Sequence, residues 1–214
     1  MKKCIIFDMD GVLINTEPLH FQIWRQVFAE YGIEDLAYDC YKGCIGSTNE
    51  YLMGLIKDGY GVDFRGRADI IARFKEVKAE YVKAHGVPRI PDVPEVVRYL
   101  HEKGYLMAVA SSSPQEYIDQ FMKDLGIDDC FSLLSSAEGV KNPKPAPDVF
   151  LYTAEKLGVD PSDCVVVEDS MNGSRAAKAA GMYCIGFKNP DSGEQDLSAA
   201  DTVCYPFIKL KEIL

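Results

Sequence analysis

Short runs of apolar residues recur along the chain, each long enough for one strand. They are continuous rather than alternating between apolar and polar residues, which is typical of strands covered on both faces. Patterns with helical spacing separate them, and several of these patterns end at a glycine. Strands that alternate with helices predict a parallel sheet in an α/β fold. The predicted strands are 4–7, 105–110, 131–135, 164–167, 184–187 and 202–205, and the predicted helices between them are 94–104, 114–127, 146–159 and 172–182.

The stretch from about residue 15 to residue 83 has a different pattern. It contains no convincing strand, and amphipathic helical patterns cover residues 19–32, 49–61 and 69–86. A helical block therefore interrupts the α/β pattern after its first strand. We predict a Rossmann-like parallel sheet core with an inserted all-helical cap domain. The core is expected to comprise residues 1–15 and 84–214, and the cap residues 16–83.

Composition narrows the classes of partner. The chain has 214 residues and a formal net charge of −10, from 33 acidic and 23 basic residues. This balance argues against nucleic acid or an anionic membrane as the main partner. No apolar stretch approaches the 18 or so residues of a membrane span. The seven cysteines are odd in number and form no Cys-x-x-Cys pair, so we expect reduced thiols in a cytoplasmic protein. Nothing in the sequence suggests an obligate partner, so we expect a monomer.

Polar side chains follow several of the predicted strands at the point where each strand ends. In an open parallel sheet these carboxyl ends meet at one edge, which is where ligands bind. A lysine between two prolines lies between the third and fourth strands of the core. The candidates collected at this edge are Asp8, Asp10, Ser111, Ser112, Lys144, Glu168 and Asp169.

This set of side chains favours a phosphoryl-transfer site. Clustered carboxylates are costly unless a cation neutralises them, and Mg²⁺ prefers carboxylates together with phosphate oxygens. Serines just before Pro114 would present a hydroxyl and free amides at a helix N-terminus, where anions bind. Lys144 would stabilise the charge of a transferring phosphoryl group.

Four motifs in this order resemble those of the haloacid dehalogenase superfamily, and the resemblance covers nearly the whole chain. The motifs are FDMDGV, VASSSP, PKPAPDVF and VVVEDSMNG. Any one of them is a weak signal alone, but a chance match of all four in order is improbable. The helical insertion directly after the first motif resembles the family's C1 cap.

The resemblance implies a role for each acidic residue of the motifs. Asp8 would be the nucleophile that becomes an aspartyl-phosphate. Asp10 would be the general acid and later the base, with its backbone carbonyl on Mg²⁺. Asp8 and Asp169 would bind Mg²⁺ directly, and Glu168 would act through water or from the second layer of contacts.

The remaining motif residues would bind phosphate. The acid at Asp10 also distinguishes this chain from two other classes of the superfamily. Ser111, the Ser112 amide and Lys144 would hold the phosphoryl oxygens. Dehalogenases lack an acid at the position of Asp10, and P-type ATPases have threonine there. The resemblance therefore indicates a phosphatase or a phosphomutase.

Two segments of the cap resemble those of β-phosphoglucomutase-like members. In NTEPLHFQIW, Thr16 and His20 match positions that face the active site in the mutases. In YKGCIGSTNEYL, Gly46 precedes Asn49, which stands where a mutase has the arginine that clamps a second phosphate. Asparagine cannot make the charged, bidentate contact of a guanidinium, although Lys42 is a candidate to compensate.

The sequence thus predicts a Mg²⁺-dependent phosphatase that acts on small phosphorylated metabolites, in particular sugar phosphates. A β-phosphoglucomutase or related hexose phosphate mutase is the first alternative, which Asn49 disfavours. A non-catalytic metabolite-binding protein of the same fold is the second alternative. The intact set of motif acids and Lys144 disfavours it.

Overall fold

The computed structural model describes residues 4–44 and 49–214, and the chain divides into two compact units. The first unit contains the chain up to Asn15 and again from Arg89 to Leu214. The second unit is Thr16–Pro88. It starts where the predicted cap starts but ends at Pro88 rather than at residue 83, because the helix Ala68–His85 continues past that point.

The described residues contain one sheet, and all of its strands are parallel. The strands are β1 Cys4–Phe7, β2 Leu106–Ser111, β3 Leu133–Ser136, β4 Cys164–Glu168, β5 Tyr183–Phe187 and β6 Thr202–Cys204. Their order in the sheet is β3-β2-β1-β4-β5-β6. The predicted α/β class and the parallel sheet are confirmed, and the strand bounds differ from prediction by at most two residues.

Helices lie between most consecutive strands of the first unit, and helices make up most of the second. Those of the second unit are α1 Thr16–Glu30, α2 Tyr38–Tyr41, α3 Asn49–Tyr60 and α4 Ala68–His85. Those of the first unit are α5 Val93–Glu102, α6 Gln115–Leu125, α7 Asp148–Leu157, α8 Met171–Ala179 and α9 Leu210–Ile213. The one-turn helices α2 and α9 were not predicted, because four residues are too few for a periodic pattern.

The middle of the sheet is completely enclosed. Every residue of β1 and β4 is buried, and the two strands pair with Cys4 beside Cys164. Continuous apolar runs fit such strands because both faces need apolar cover. The switch in strand order lies between β1 and β4, because β2 and β3 lie on one side of β1 whereas β4, β5 and β6 lie on its other side. This is the place in an open α/β sheet where a crevice forms at the carboxyl ends.

The second unit has an aromatic core of its own. Trp24 is 3% exposed and stacks on Phe28 and Phe74, with ring centroids 5.0 and 4.3 Å apart. Phe28 also stacks on Phe64 at 5.4 Å. These rings come from α1, α4 and the segment between α3 and α4, so the stack packs α1 and α4 against each other and against that segment.

All seven cysteines are free thiols in the structure. Six are buried, and Cys40 is partly exposed. Among the described residues, none of the helices combines the length and the apolar character needed to cross a membrane.

Candidate active site

A tight turn after β1 sets the position of the first two acids. The backbone N–H of Asp8 still donates to Val167 O at 2.9 Å, so Asp8 continues the pairing with β4. The chain then reverses, with Gly11 N–H donating to Ile14 O at 2.8 Å. Gly11 has a φ of +82°, a backbone conformation that glycine adopts without strain. The Asp-x-Asp-Gly order therefore reflects a strand end followed by a turn that needs glycine.

Lys144 joins the ends of β1 and β4. Its side chain is only 8% exposed. The ammonium group donates to Asp8 Oδ1 at 2.6 Å, to Glu168 Oε1 at 2.8 Å and to Ala110 O at 3.3 Å. Charge-assisted bonds of this length are strong where water is excluded. The predicted lysine and two of the predicted acids thus meet at one edge of the sheet.

Burial and the neighbouring charges both shift the pKa values of Asp8 and Lys144. Burial raises the pKa of Asp8, Lys144 opposes that rise, and the neighbouring acids add to it, which brings the pKa to about 7. Burial alone would lower the pKa of Lys144, but the charges of Asp8 and Glu168 raise it above its usual range. Lys144 therefore remains an ammonium group. Without a further cation, Asp8 has an unusual affinity for a proton.

Among the described residues, Asp8, Glu168 and Asp169 form the only group of three or more His, Cys, Asp or Glu side chains placed to hold a metal ion, and we call it the carboxylate cluster. Each offers one carboxylate oxygen, and these oxygens lie within 4.8 Å of one another. The three side chains are all buried, and Lys144 supplies one positive charge against three negative ones. Oxygen donors with an excess of buried negative charge fit a small hard cation such as Mg²⁺.

Asp10 is not part of the carboxylate cluster, and its side chain contacts the serines after β2 instead. Ser113 Oγ donates to Asp10 Oδ2 at 2.7 Å, and Ser111 Oγ lies 3.4 Å from the same oxygen. Ser111 is buried, whereas Ser112 is exposed. The structure therefore brings Ser111 to Asp10. It also identifies Ser113 as a contact that the sequence analysis missed, although it belongs to the same serine run.

The start of α8 orients Glu168. Ser170 donates through its backbone N–H and its hydroxyl to Glu168 Oε2, both at 2.9 Å. Ser170 Oγ also accepts from Gly173 N–H at 3.0 Å, which caps the helix. A Cβ at Gly173 would lie 1.6 Å from Glu168 Oε1, so this carboxylate occupies the space that a side chain would fill.

The segment after β5 also reaches the site, and the sequence analysis did not include it. We call residues 188–201 the β5 loop. Ser192 Oγ donates to Asp169 Oδ2, and Asn189 Nδ2 donates to Gly11 O at 2.9 Å. Both side chains are at least 95% buried. A strand-end search extended to β5 would have found Asn189 and Ser192, which follow within a few residues.

The candidate residues on α1 are described within the second unit only. Thr16 is the first residue of α1 and is fully buried. His20 Nε2 lies 3.0 Å from Lys78 Nζ, and its ring contacts Phe74. Lys78 is 7% exposed, which is unusual for lysine. The sequence motifs do not predict the contact between Lys78 and His20.

The other cap candidates lie on the surface or outside the described part of the chain. Lys42 is exposed and pairs with Asp39 at 2.6 Å, so part of its charge is already compensated. Asn49 is the exposed first residue of α3. Gly46 lies outside the described residues.

The motifs and the geometry agree with a known family. The family model described as haloacid dehalogenase-like hydrolase matches residues 5–187. The chain belongs to this family. The match begins within β1 and ends at the last residue of β5, so it includes every residue of the carboxylate cluster together with Lys144.

Similar curated proteins include bacterial sugar phosphate phosphatases, and this chain is an enzyme of the same hydrolase family. Fructose-1-phosphate phosphatase YqaB of Escherichia coli is 36% identical, over 85% of this chain and 94% of its own. Hexitol phosphatase B of the same organism is 34% identical, over 87% of this chain and 84% of its own. The chloroplastic protein SUPPRESSOR OF QUENCHING 1 of Arabidopsis thaliana is 36% identical, but this chain spans only 18% of it.

Solved structures confirm the fold. A putative β-phosphoglucomutase from Thermotoga maritima superimposes with a TM-score of 0.80 at 29% identity. The superposition covers 99% of this chain and all of that one. The Rossmann-like core of the haloacid dehalogenase-like hydrolases is therefore the fold of this chain.

Proposed function

We propose that this hydrolase is a Mg²⁺-dependent phosphatase of small phosphorylated carbohydrates that works through an aspartyl-phosphate on Asp8. The observation that carries the proposal is Lys144, which bridges Asp8 and Glu168 in a buried site next to Asp169. A cationic group fixed beside a carboxylate nucleophile can neutralise the charge of an incoming phosphoryl group. The named phosphatase relatives support the same reaction class.

In the first half-reaction, a carboxylate oxygen of Asp8 attacks phosphorus while the bond from phosphorus to the sugar oxygen breaks. Asp10 gives its proton to the departing sugar oxygen, so the product leaves as an alcohol. In the second half-reaction, Asp10 takes a proton from water. The oxygen of that water attacks phosphorus while the bond from phosphorus to the Asp8 oxygen breaks, which releases inorganic phosphate and restores the Asp8 carboxylate.

The residues around Asp8 and Asp10 hold the reacting groups. Lys144, the Ser111 hydroxyl and the Ser112 amide would bind the phosphoryl oxygens. Ser113, 2.7 Å from Asp10 Oδ2, would hold the general acid on the side of the departing oxygen. Such prior orientation lowers the barrier because no reorganisation is needed during the reaction.

The metal would be held by Asp8 and Asp169 directly, by the Asp10 carbonyl and by Glu168 from the second layer of contacts. When bound, Mg²⁺ would neutralise charge on the phosphoryl oxygens and on the carboxylate cluster. Asp8, with its pKa raised by burial, would then be ionised and available as a nucleophile near neutral pH.

We propose phosphorylated sugars and hexitols as the substrate class. The two bacterial relatives are named for fructose 1-phosphate and for hexitol phosphates, and each aligns with most of this chain. The substrate would be a small phosphorylated metabolite rather than a nucleic acid. The chain carries a net charge of −10, so phosphate would be attracted by local groups and not by the overall field.

A hexose phosphate mutase is the second candidate, because a putative β-phosphoglucomutase is among the structural neighbours. Thr16, buried at the start of α1, and His20, beside Lys78, match mutase positions. Against this candidate, Asn49 stands where a mutase has arginine. A mutase must bind two phosphates at once, and an amide cannot replace a guanidinium in that contact.

Phosphate release from fructose 1-phosphate and hexitol phosphates with Mg²⁺ tests the proposal. We expect turnover by the wild type, none after chelation, and none with Asp8→Asn. Asp124→Asn, on the exposed face of α6, is the matched control and should retain activity. Intact-mass spectrometry of acid-quenched Asp10→Asn with an activated phosphate ester should show one added phosphoryl group. Turnover by Asp8→Asn, or no phosphorylated enzyme, would contradict the covalent route.

Phosphorus NMR separates the two candidates. The sample contains β-glucose 1-phosphate, a trace of glucose 1,6-bisphosphate and Mg²⁺. Inorganic phosphate without glucose 6-phosphate is expected of a phosphatase. Accumulation of glucose 6-phosphate would instead identify a mutase in which Asn49 has replaced the arginine clamp.

A further inference from the structure

The β5 loop contributes a buried hydroxyl to the carboxylate cluster. Ser192 is 2% exposed, and its Oγ donates to Asp169 Oδ2. The two residues are 23 positions apart in the chain, so this contact depends on the tertiary fold. A buried serine usually satisfies its own backbone or a neighbouring one. Here it is directed at a carboxylate that is a candidate metal ligand.

Asn189 holds the loop in the position that this contact requires. Its Nδ2 donates to Gly11 O at 2.9 Å, which attaches the loop to the turn after β1. Its Oδ1 accepts from Asp191 N–H at 3.0 Å, and Ser192 N–H donates to Asn189 O at 3.2 Å. Asn189 is 5% exposed. Ser192 therefore lies in a turn that the hydrogen bonds of Asn189 hold in place.

Gly11 confines the same carboxylate oxygen from the other direction. A Cβ at Gly11 would lie 1.9 Å from Asp169 Oδ2, so the oxygen packs directly against the glycine backbone. Oδ2 of Asp169 is thus enclosed by backbone and bonded to a hydroxyl. A carboxylate held in this way is restricted in rotation and is a poor two-oxygen chelate.

We propose that Ser192 is a positioning residue that sets the affinity and the selectivity of the metal site. By occupying Oδ2, it commits Asp169 to bind a cation through one oxygen. Mg²⁺ takes single oxygens in strict octahedral geometry and keeps several waters, whereas Ca²⁺ is larger and accepts two-oxygen carboxylates. Outer contacts that orient ligands in this manner contribute substantially to metal affinity. The inference rests on the proposed Mg²⁺ dependence.

Isothermal titration calorimetry of the metal-free full-length protein with Mg²⁺ and with Ca²⁺ tests the inference without any substrate. For Ser192→Ala we expect the Kd for Mg²⁺ to rise about 10–100-fold, as found for lost outer contacts of metal sites. The Kd for Ca²⁺ is expected to change less, because a freed Oδ2 would become available to it. Ser192→Cys keeps the volume of the side chain but has only a weak donor, so it should behave like Ser192→Ala even if the alanine variant folds poorly.

Ser198→Ala is the matched control. Ser198 is an exposed serine of the same loop, and its hydroxyl bonds Asp196, a carboxylate that is not part of the carboxylate cluster. The Ser198→Ala variant should bind both cations like the wild type. An unchanged Kd for Mg²⁺ in both Ser192 variants, or an equal loss for Mg²⁺ and Ca²⁺, would overturn the inference. Failure of the wild type itself to bind Mg²⁺ would instead refute the proposed function, so the two failures are distinguishable.

Discussion

Lys144 lies between two carboxylates that would repel each other without it. Its bonds to Asp8 and Glu168 are 2.6 and 2.8 Å long, in a place where the lysine side chain is 8% exposed. Removing one partner from a buried charged group leaves the others uncompensated, which is costlier than losing an exposed ion pair. The same residue thus supports the local structure and supplies the positive charge that the proposed reaction needs.

Lys144→Met removes that charge while keeping much of the apolar volume. We expect kcat/KM for phosphate release to fall by about 10²–10³, the usual loss for one electrostatic contact to the transition state. Lys141→Met is the matched control, because Lys141 is exposed in the same segment. Steady-state kinetics measure both variants. A Lys144→Met enzyme with near-normal turnover would remove Lys144 from the proposed mechanism.

The raised pKa of Asp8, about 7, has a consequence for the metal-free protein. Between its ordinary value and about 7, the folded state holds a proton on Asp8 that the unfolded state has released. The free energy of unfolding should therefore fall as pH rises through this window, by up to about 1.4 kcal/mol per pH unit from this one group. Urea unfolding at a series of pH values, in the presence of a chelator, measures this change in the free energy of unfolding. Asp8→Asn should remove the contribution of Asp8 to the pH dependence of the free energy of unfolding. The same pH dependence in the variant and the wild type would contradict the raised pKa of Asp8.

The elements around the site show which parts could be predicted from the sequence. Asp8 and Asp169 could be predicted because strand ends and their order follow from local apolar runs, and Lys144 because its proline-flanked motif lies between two of those strands. Ser192 and Asn189 were not predicted, because their partners lie in other segments, and the path of a loop without periodicity cannot be read from spacing. For the same reason the Lys78–His20 contact between α4 and α1 was missed, since a pattern gives the face of a helix but not its register against another helix.

Asn189→Ala separates the β5 loop from the turn after β1. The carbonyl of Gly11 would lose a buried donor at 2.9 Å, and we expect the free energy of unfolding to fall by about 1–3 kcal/mol. Asn142→Ala is the control, because Asn142 is exposed and bonds Asp148 at its own surface. Chemical denaturation of both variants measures the difference. Equal stability of the two variants would mean that the hydrogen bond from Asn189 to Gly11 O contributes nothing to the free energy of unfolding.

Gly173→Ala changes the start of α8. Alanine normally favours a helix over glycine by roughly 1 kcal/mol, but here the new Cβ would lie 1.6 Å from Glu168 Oε1. Glu168 must move, and its bond to Lys144 would break, so we expect lower stability and much lower activity. Gly54→Ala in α3, where nothing lies within 4 Å, should be neutral or stabilising. Thermal unfolding and phosphate release are measured for both variants. A Gly173→Ala protein that is more stable than the wild type and still active would contradict the close packing of Glu168 against Gly173.

At the scale of the whole molecule, the carboxylate cluster and its supports all belong to the unit that contains the sheet. Asp8, Lys144, Glu168, Asp169 and Ser192 come from residues 1–15 and 89–214, and from four separate segments of that unit. A cation at this cluster would connect β1 with β4 and, through Ser192, with the β5 loop. Metal binding should therefore stabilise this unit as a whole.

Mg²⁺ should raise the melting temperature of the protein, because it binds the folded state and not the unfolded chain. At a concentration 100 times its Kd, the expected gain is about 2.7 kcal/mol. Asp169→Asn should lose most of this gain, whereas Asp124→Asn should keep it. Hydrogen exchange should show the added protection at the ends of β1 and β4 and in the β5 loop, with α1 and α4 little changed. Equal added protection across α1 and α4 would mean that the cation binds elsewhere or acts on both units, because none of the described residues of Thr16–Pro88 belongs to the cluster.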